Sequence, residues 1–480
     1  MEKLQNFING EYCAPTTNQY IDNYEPASGK VYSLIPNSGA EDVENAVKAA
    51  EKAFPIWSAM SNEERSTILI KLSEGIEARM DEFIRAESRD NGKPISLAEH
   101  VDIPRAVSNF HFFATAIVHY SSESHNMEGV GVNYTLRKPL GIVGCISPWN
   151  LPLYLFSWKI APALATGNCV IAKPSEVTPY TAFLLGQVAK DAGMPDGVLN
   201  ILHGEGHSVG DAIVKHKKIK AISFTGGTKT GEYIARTAAP MFKKLSLELG
   251  GKNPNIIFAD CDWKEMMKTT LLSSFANQGQ ICLCGSRIYV ERSIYDKFKE
   301  EFVERVSNTL VAHPDNPKAK LGAVVSKPHM ENVLSRIELA KEEGGTVLTG
   351  GERVIMEAPY ENGYYIRPTV IEGLSHDCRT NQEEIFGPVV TITPFDTEEE
   401  VLMMANSTEY GLSATLWTSD IKRAHRVANN IDAGIVWINA WLVRDLRTPF
   451  GGTKSSGIGR EGGLEALRFF TEPKNVFVKY

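Results

Sequence analysis

The chain has 480 residues, of which 43% are hydrophobic and 22% are charged, and its formal net charge is −8. This composition is typical of a globular protein with a large core, and the acidic balance argues against a nucleic-acid partner. No run of 18 or more apolar residues occurs, so we predict no membrane-spanning helix and no membrane partner. The length predicts two to four domains.

The cysteines and the first residues indicate the compartment. Seven cysteines are scattered without a framework spacing, which predicts free thiols in a reducing compartment, and we expect the cytoplasm. The segment from Met1 to Phe7 lacks the apolar core of a signal peptide and is not an Arg-rich transit peptide, so we expect no targeting segment there.

Helical periodicity dominates the first 120 residues. A short strand with a glycine turn is predicted at Phe7 to Tyr12. Apolar residues then recur at helical spacing from Ala40 to Trp57, and similar patterns run from Ser61 to Asn91 and from about Pro104 to Tyr120. This segment therefore predicts a helical layer.

Two separate stretches predict a small sheet outside the main domains. Residues alternate from Asn133 to Lys138, as in a strand, and Asn475 to Tyr480 supplies a second strand at the C-terminal end. Projecting ribbons of this kind are typical contacts between subunits.

From Gly141 onward, short apolar strands alternate with helices. The predicted strands of this first unit are Gly141–Ser147, Asn168–Lys173, Val198–Leu202 and Lys220–Thr225. Such alternation predicts a doubly wound parallel sheet in an α/β domain, and nucleotides bind at the C-terminal ends of such strands. A second α/β unit is predicted from the turn at Gly250 and Gly251 to about Gly451.

Two glycine clusters follow predicted strands of the first unit. The pattern Gly204-x-Gly206-x-x-x-Gly210 has one residue too many for the usual dinucleotide fingerprint. Gly226 and Gly227 open a helix, and a phosphate can bind at such a helix N-terminus. Ordinary strand-to-helix turns explain both clusters equally well.

Cys282 is the strongest candidate nucleophile. It follows a predicted helix from Met266 that breaks at Gly279, and it lies in a loop of glycine and small polar residues, where a thiolate can attack carbon. Two other interpretations are a small buried hydrophobe and a metal ligand that acts with Cys284. No matching Cys or His pair lies nearby at ligand spacing, so we expect no metal.

Glu248 is the candidate base. It ends an apolar strand at a Gly-Gly turn, and its neighbours Leu247 and Leu249 should raise the carboxyl pKa, as a general base requires. A structural glutamate paired with a lysine explains this residue equally well.

Together, the stretches Leu245–Pro254 and Phe275–Arg287 resemble the two active-site signatures of the NAD(P)-dependent aldehyde dehydrogenase superfamily, and further matching motifs extend from about Phe7 to the C-terminus. The resemblance implies an NAD-binding domain at residues 1–120 and 141–249, in a variant of the fold that lacks the usual fingerprint. It also implies a catalytic domain at 250–451, an oligomerisation ribbon at 121–140 and 465–480, and a homodimer or homotetramer.

The resemblance also implies a mechanism of aldehyde oxidation. Cys282 would attack the aldehyde and pass through a thiohemiacetal and a thioester. The amide of Asn150, in the motif Pro148-Trp149-Asn150, and the backbone N–H of Cys282 would bind the oxyanion. Glu248 would activate the water that hydrolyses the thioester.

The implied cofactor is NAD. Lys173 and Glu176 resemble the pair that binds the adenosine ribose, while Glu384 and Phe386 resemble the residues at the nicotinamide ribose and ring. The implied cofactor contacts are Ser147, Trp149, Lys173, Glu176, Gly206, Thr225, Gly226, Gly227, Glu384 and Phe386. Gly227 replaces the usual serine, so a backbone N–H must stand in for that hydroxyl at the pyrophosphate.

Finer stretches indicate the substrate. Four of these stretches are similar to the 2-hydroxymuconic and 2-aminomuconic semialdehyde dehydrogenases, which act in catechol and tryptophan breakdown. The four stretches are Asp102–Arg105, Ile146–Leu153, Trp441–Gly452 and Ser456–Gly463. These small-molecule aldehydes carry a carboxylate, which Arg105 and Arg444 would bind, with Arg447 as the alternative to Arg444. A broad-specificity or betaine-type aldehyde dehydrogenase, and a catalytically silent nucleotide-binding protein, remain as alternatives.

Overall fold

Two large, mainly parallel β-sheets organise the chain, which a computed structural model describes from residue 1 to residue 480. The first sheet has eight strands and the second has seven. Apolar stretches such as Ile142–Ile146 and Cys169–Lys173 are buried along their whole length. Parallel strands covered by helices on both faces require this kind of sequence.

The first sheet brings the C-terminal ends of five parallel strands to one edge. In spatial order its strands are Gly457–Ile458, Lys244–Glu248, Ile219–Thr225, Ile142–Ile146, Cys169–Lys173, Leu199–Ile201, Asn6–Ile8 and Glu11–Cys13. The first strand and the last two are antiparallel to their neighbours. Thr225 pairs with Glu248 and Ile146 with Lys173, so predicted site residues meet at this edge.

Helices cover both faces of this sheet. They are Ala40–Ala59, Asn62–Ala78, Met80–Asn91, Ile95–Leu97, Ile103–Val118, Pro152–Ala165, Tyr180–Asp191, Asp211–Lys215 and Thr228–Ala238. Every residue of the helix Pro152–Ala165 is buried. It packs between the sheet and the helix Ile103–Val118, within a continuous core of 60 buried apolar residues that forms the largest cluster in the molecule.

A π-helical segment, Ala98–Asp102, precedes the helix Ile103–Val118. Pro104 has no N–H to continue a regular α-helical ladder, and the N–H of Ile103 instead donates to the Ala98 carbonyl. Such one-turn bulges re-aim the side chains that follow. This one leaves Asp102 fully buried and Arg105 half-buried.

The second sheet lies between its own helices. In spatial order its strands are Thr346–Thr349, Thr369–Glu372, Val389–Phe395, Arg287–Glu291, Pro254–Ile257, Ser413–Trp417 and Ile435–Ile438. All are parallel except the first. The helices of this half of the chain are Trp263–Phe275, Tyr295–Ser307, Lys327–Glu342, Arg379–Gln382, Glu398–Asn406, Ile421–Asn430 and Gly463–Phe469.

The chain returns to the first sheet after the second is complete. The short strand Gly457–Ile458 pairs with Lys244–Glu248, and the N–H of Leu249 donates to the Ser456 carbonyl over 2.9 Å. This crossing places the glycine-rich segment around Glu461 next to Glu248.

The predicted outer sheet forms as expected. The strand Thr471–Lys479 pairs with Gly131–Pro139, which also pairs with Ser124–Met127. Apolar side chains on it are exposed, among them Met127, Leu136 and Phe477.

Three smaller sheets complete the fold. One contains the strands Glu2–Lys3, Lys30–Pro36 and Tyr20–Glu25, the second pairs Arg353–Val354 with Tyr365–Ile366, and the third pairs Tyr410–Gly411 with Thr453–Lys454. None of the helices has the length and apolar character needed to cross a membrane.

Candidate active site

A cleft of about 730 Å³ opens where the parallel strands of the first sheet end. The cleft contains eight of the residues predicted to bind the cofactor. They are Ser147, Trp149, Lys173, Glu176, Gly206, Thr225, Gly226 and Gly227. This is the position at which doubly wound sheets bind nucleotides.

Lys173 and Glu176 form an ion pair in this cleft. Their Nζ and Oε2 atoms are 2.9 Å apart, and Lys173 also donates to the Pro174 carbonyl over 3.0 Å. Burial opposes ionisation of Glu176, but Lys173 and the Gly206 N–H outweigh it, so the pKa of Glu176 is lowered. The carboxylate is therefore charged and can accept hydrogen bonds from ribose hydroxyls.

Gly227 does not occupy a position that requires glycine. Its φ is −69°, and a Cβ at this position would meet no atom within 4 Å. The space that a serine would use is open, and the helix Thr228–Ala238 begins directly after it.

A channel of about 240 Å³ connects this cleft to Cys282. Trp149, Phe386 and His329 form its aromatic wall, with ring centroids of Trp149 5.2 Å from Phe386 and 5.1 Å from His329. Phe386 has a left-handed φ of 58°, and its carbonyl lies 2.8 Å from His329 Nε2. The structure therefore adds His329 to the predicted site.

Glu384 lies in the same channel. The Gly251 N–H donates to its Oε1 over 2.9 Å, and its Oε2 occupies the space that a Cβ on Gly250 would need. Burial raises the pKa of Glu384 to about 7, against the opposing effects of this N–H and of Lys252. The turn at Gly250 and Gly251 thus provides both a hydrogen-bond donor and the space for the Glu384 carboxyl.

The loop that carries Cys282 is rigidly held. The preceding helix ends at Phe275, four residues before the predicted break at Gly279, and Asn277 and Gln278 both have left-handed φ values, 52° and 58°. Gln278 fixes this turn, because its side chain donates to the Ala323 carbonyl and accepts from the Gly322 N–H, each over 3.1 Å.

Cys282 forms a wall shared by two cavities, the channel and a second cavity of about 110 Å³ on its other side. Its carbonyl accepts from Asn253 Nδ2 over 2.7 Å. Burial raises the pKa of the Cys282 thiol, and the nearby carboxyls of Glu384 and Glu248 raise it further. The thiol is therefore protonated in this environment and needs a proton acceptor before it can attack.

Cys284 packs in the core behind this loop. It is buried in an apolar cluster that includes Trp437 and Trp441. Burial raises the pKa of its thiol to about 12. Both observations fit a packing role.

Asn150 faces Cys282 across the channel. Its side-chain amide donates one hydrogen to the Gln280 carbonyl over 2.9 Å. An amide nitrogen carries two hydrogens, so the second remains available to an acceptor in the channel.

Glu248 lies in the second cavity together with Cys282 and Arg444. Both of its carboxyl oxygens are buried without a hydrogen-bond partner. Burial raises the pKa of Glu248, and the neighbouring carboxyl of Glu461 raises it further. An ordinary glutamate–lysine pair is therefore excluded at this position.

A buried ion pair lies beneath Glu248. Lys159 Nζ and Glu461 Oε1 are 2.7 Å apart, and Ser223 donates to the same oxygen over 3.2 Å. Neither charged residue was predicted as part of the site, and the two are 302 positions apart. A signal was present, since Lys159 is the one charged residue in the otherwise apolar helix Pro152–Ala165.

Arg105 and Arg444 converge near this cavity. Arg444 lies in its wall, donates to the Tyr154 hydroxyl over 2.7 Å and stacks 3.8 Å from the Phe450 ring centroid. Arg105 lies behind it, with its guanidinium carbon 5.5 Å from the Tyr154 ring centroid and 5.8 Å from that of Trp158. Its buried Nε and Nη2 have no partner.

Arg444 is not part of a surface ion pair. Asp445 instead binds Arg447 through several charge-assisted hydrogen bonds, the shortest of 2.6 Å, and the Arg447 side chain is 80% exposed. Burial lowers the pKa of Arg105, and the positive charge of Arg444 lowers it further. The two half-buried arginines therefore place two positive charges close together, and no salt bridge joins either of them to a carboxylate.

The family model described as the aldehyde dehydrogenase family matches residues 12–476. The chain therefore belongs to the aldehyde dehydrogenase family. The predicted family, α/β fold class and enzyme class are confirmed.

Similar proteins include the 2-aminomuconic semialdehyde dehydrogenase of Danio rerio, which is 52% identical over 480 residues, 99% of this chain and 98% of the relative. The 2-hydroxymuconic semialdehyde dehydrogenase of Pseudomonas sp. (strain CF600) is 47% identical over 485 residues, 100% of both. The NAD+ complex of an aldehyde dehydrogenase from Bacillus cereus has a TM-score of 0.97 at 41% identity, covering 100% of this chain and 97% of that one.

The rigidity of the Cys282 loop can be tested at Gly279. The φ of Gly279 is 69°, and a Cβ on it would collide with the Gly387 carbonyl. We expect Gly279→Ala to lower the free energy of unfolding by about 2 kcal/mol or more, measured by urea denaturation. Gly227→Ala is the matched control and should change it by less than about 0.5 kcal/mol. Equal stability of the two variants would contradict this account of the loop.

Proposed function

We propose that this chain oxidises 2-aminomuconate or 2-hydroxymuconate 6-semialdehyde to the dicarboxylic acid, with NAD as the hydride acceptor. The observation that carries the proposal is the pair Arg105 and Arg444, whose positive charge lies beside a cavity that opens on Cys282. The aldehyde end of an extended acidic substrate would reach the thiol while its carboxylate meets the guanidiniums.

The first step is attack by Cys282. Its Sγ adds to the aldehyde carbon, the thiol proton passes to a nearby base, and the carbonyl oxygen becomes the oxyanion of a thiohemiacetal. The free amide hydrogen of Asn150 and the Cys282 N–H are the donors for this oxyanion. Loss of one such donor typically raises the barrier by about 3 kcal/mol.

The residues of the cleft and channel fit a dinucleotide. NAD bound there would supply the acceptor for the hydride that leaves the thiohemiacetal carbon, and a thioester on Cys282 would remain. Glu176 favours free ribose hydroxyls and repels a 2′-phosphate, because its carboxylate is charged. Trp149 and Phe386 supply an apolar wall that would hold a planar ring, and the carboxyl of Glu384 in the same channel would accept hydrogen bonds from ribose hydroxyls.

The second half-reaction is hydrolysis of the thioester. Glu248 is the base, since its carboxyl shares the cavity with Cys282 and its raised pKa makes it a stronger proton acceptor once ionised. It takes a proton from water as the hydroxyl adds to the thioester carbon, and the Cys282 thiolate then leaves with the acid as product. The buried ion pair of Lys159 and Glu461 contributes to the electrostatic environment of the Glu248 carboxyl.

The two alternatives fit these residues less well. A betaine-type substrate carries a quaternary ammonium group, which two guanidiniums repel. A catalytically silent protein would gain nothing from an unpartnered buried carboxyl such as Glu248, which is costly unless it is used.

The assembly and domain boundaries complete the proposal. Residues 1–120 and 141–249 form the NAD-binding domain and residues 250–451 the catalytic domain. The ribbon of 121–140 and 465–480, with its exposed apolar side chains, joins subunits in a homodimer or homotetramer. We place the enzyme in the cytoplasm, since Cys282 must stay reduced to react.

Replacement of the two proposed reacting groups should give different kinetics. Cys282→Ala should abolish NADH formation, because no thiohemiacetal can form. Glu248→Gln should keep a rapid burst of one NADH per site and slow the steady rate by about 100-fold, because the thioester accumulates. Stopped-flow absorbance with 2-hydroxymuconate semialdehyde measures both. A burst that persists in Cys282→Ala would contradict the assigned nucleophile.

The carboxylate site can be tested with a third arginine as control. We expect Arg105→Met and Arg444→Met to raise KM for the acidic semialdehyde at least about 30-fold, since Arg444 is a charged donor in the cavity wall and Arg105 adds a positive charge behind it, and to change kcat/KM for hexanal by less than about threefold. Steady-state NADH formation measures these effects. Arg447→Met removes an exposed, paired arginine and should change neither. Equal effects on both aldehydes would refute the muconic assignment.

Removal of the two charged neighbours of Glu248, one at a time, should shift the pH profile of thioester hydrolysis in opposite directions. Glu248 acts when ionised, so its raised pKa places the acidic limb of the hydrolysis rate at higher pH than for an ordinary glutamate. Glu461→Gln removes a negative neighbour and should shift this limb to lower pH. Lys159→Met removes a positive neighbour and should shift it to higher pH. Shifts of the same sign, measured under conditions of thioester accumulation, would contradict the assignment.

A further inference from the structure

The backbone of the oxyanion loop, Trp149 and Asn150, is held by donors from two other segments. The Asn150 carbonyl accepts from Asn277 Nδ2 over 2.8 Å, from Lys93 Nζ over 3.2 Å and from Asn91 Nδ2 over 3.3 Å. Asn91 also donates to the Trp149 carbonyl over 2.9 Å. A carbonyl with three donors has a fixed direction, which fixes the backbone from which the Asn150 side chain extends, and the bond from Asn150 Nδ2 to the Gln280 carbonyl then orients the amide.

Lys93 is the charged member of this set and is fully buried. Its ammonium group binds the carboxylate of Asp102 and lies 3.9 Å from Glu87, and both acids are also fully buried. Glu87 in turn accepts from the Leu153 N–H and the Thr181 hydroxyl. Buried ion clusters stabilise a fold little more than apolar residues of the same volume would. The cluster therefore calls for a role beyond stability.

Asp102 connects the cluster to the substrate cavity. It is the last residue of the π-helical segment, contributes to the wall of the second cavity, and precedes Arg105 by three positions. Lys93 thus joins two elements of the site, the wall beside the proposed carboxylate pocket and the carbonyl of Asn150.

We propose that Lys93 is a positioning residue, which holds Asn150 so that its free amide hydrogen points at the developing oxyanion. The inference rests on the proposed function, in which Asn150 is an oxyanion donor. Lys93 touches neither substrate nor cofactor and acts only through the backbone of Asn150 and through Asp102.

A double-mutant cycle tests this proposal in the full-length enzyme. The four proteins are wild type, Lys93→Met, Asn150→Ala and the double variant, and the readout is the rate of the first NADH burst with 2-hydroxymuconate semialdehyde. We expect Lys93→Met to slow the burst about tenfold or more, and to slow it less than about twofold when Asn150 is already alanine. Effects that multiply in the double variant would overturn the proposal.

Two further variants keep the test decisive. Lys243 is also a buried lysine, and it donates to the Val214 and His216 carbonyls over 2.6 and 2.7 Å, away from Asn150. Lys243→Met should lower thermal stability without changing the burst rate. If Lys93→Met alone does not fold, the cycle is run with Asp102→Asn as the reference protein and Lys93→Met added to it, because this pair removes one positive and one negative charge and leaves the net charge of the cluster unchanged.

The outcome at Asn150 separates this inference from the proposed function. An unchanged burst in Asn150→Ala would refute the oxyanion role of Asn150 and with it the proposed mechanism. A slowed burst in Asn150→Ala, together with an independent, multiplying effect of Lys93→Met, would refute only the positioning role of Lys93.

Discussion

Burial of acidic groups without ion partners governs this site. Glu248 has no hydrogen-bond partner, Glu384 has one backbone N–H, and Cys282 lies between them. Burial favours the neutral form of each group, and the carboxyls of Glu384 and Glu248 raise the pKa of the Cys282 thiol further. An arrangement of this kind is unfavourable for stability. It persists because the surrounding backbone and the large core over-determine the position of each group.

The backbone holds these groups through features that carry no chemistry themselves. The parallel register puts Thr225 beside Glu248, and the turn at Gly250 and Gly251 leaves room for the Glu384 carboxyl. The left-handed backbone conformations of Asn277 and Gln278 are unfavourable alone, but hydrogen bonds from their side-chain amides to distant backbone carbonyls compensate for them. Precision in the Cys282 loop therefore depends on contacts between segments that are far apart in sequence.

Sequence patterns predicted the parallel strands of the first α/β unit, because strands covered on both faces leave continuous apolar runs such as Ile142–Ile146. The patterns around Cys282 and Glu248 left a structural interpretation open for each, and the resemblance of the two stretches to family signatures predicted their roles. Sequence patterns failed where the partner is remote. The pairing of Lys159 with Glu461 needs the return of the chain to the first sheet, and no local pattern encodes that crossing. The end of the helix at Phe275 depends on contacts to Gly322 and Ala323, which lie in another segment.

The position of Cys282 between two cavities explains how one thiol can serve both halves of the proposed reaction. The channel approaches it from the cofactor cleft, past Trp149, while the second cavity approaches from the side of Arg444. In the proposed reaction, cofactor and substrate would therefore approach the thiol from different sides. Since Glu248 lies on the substrate side, the water for hydrolysis need not pass through the cofactor channel.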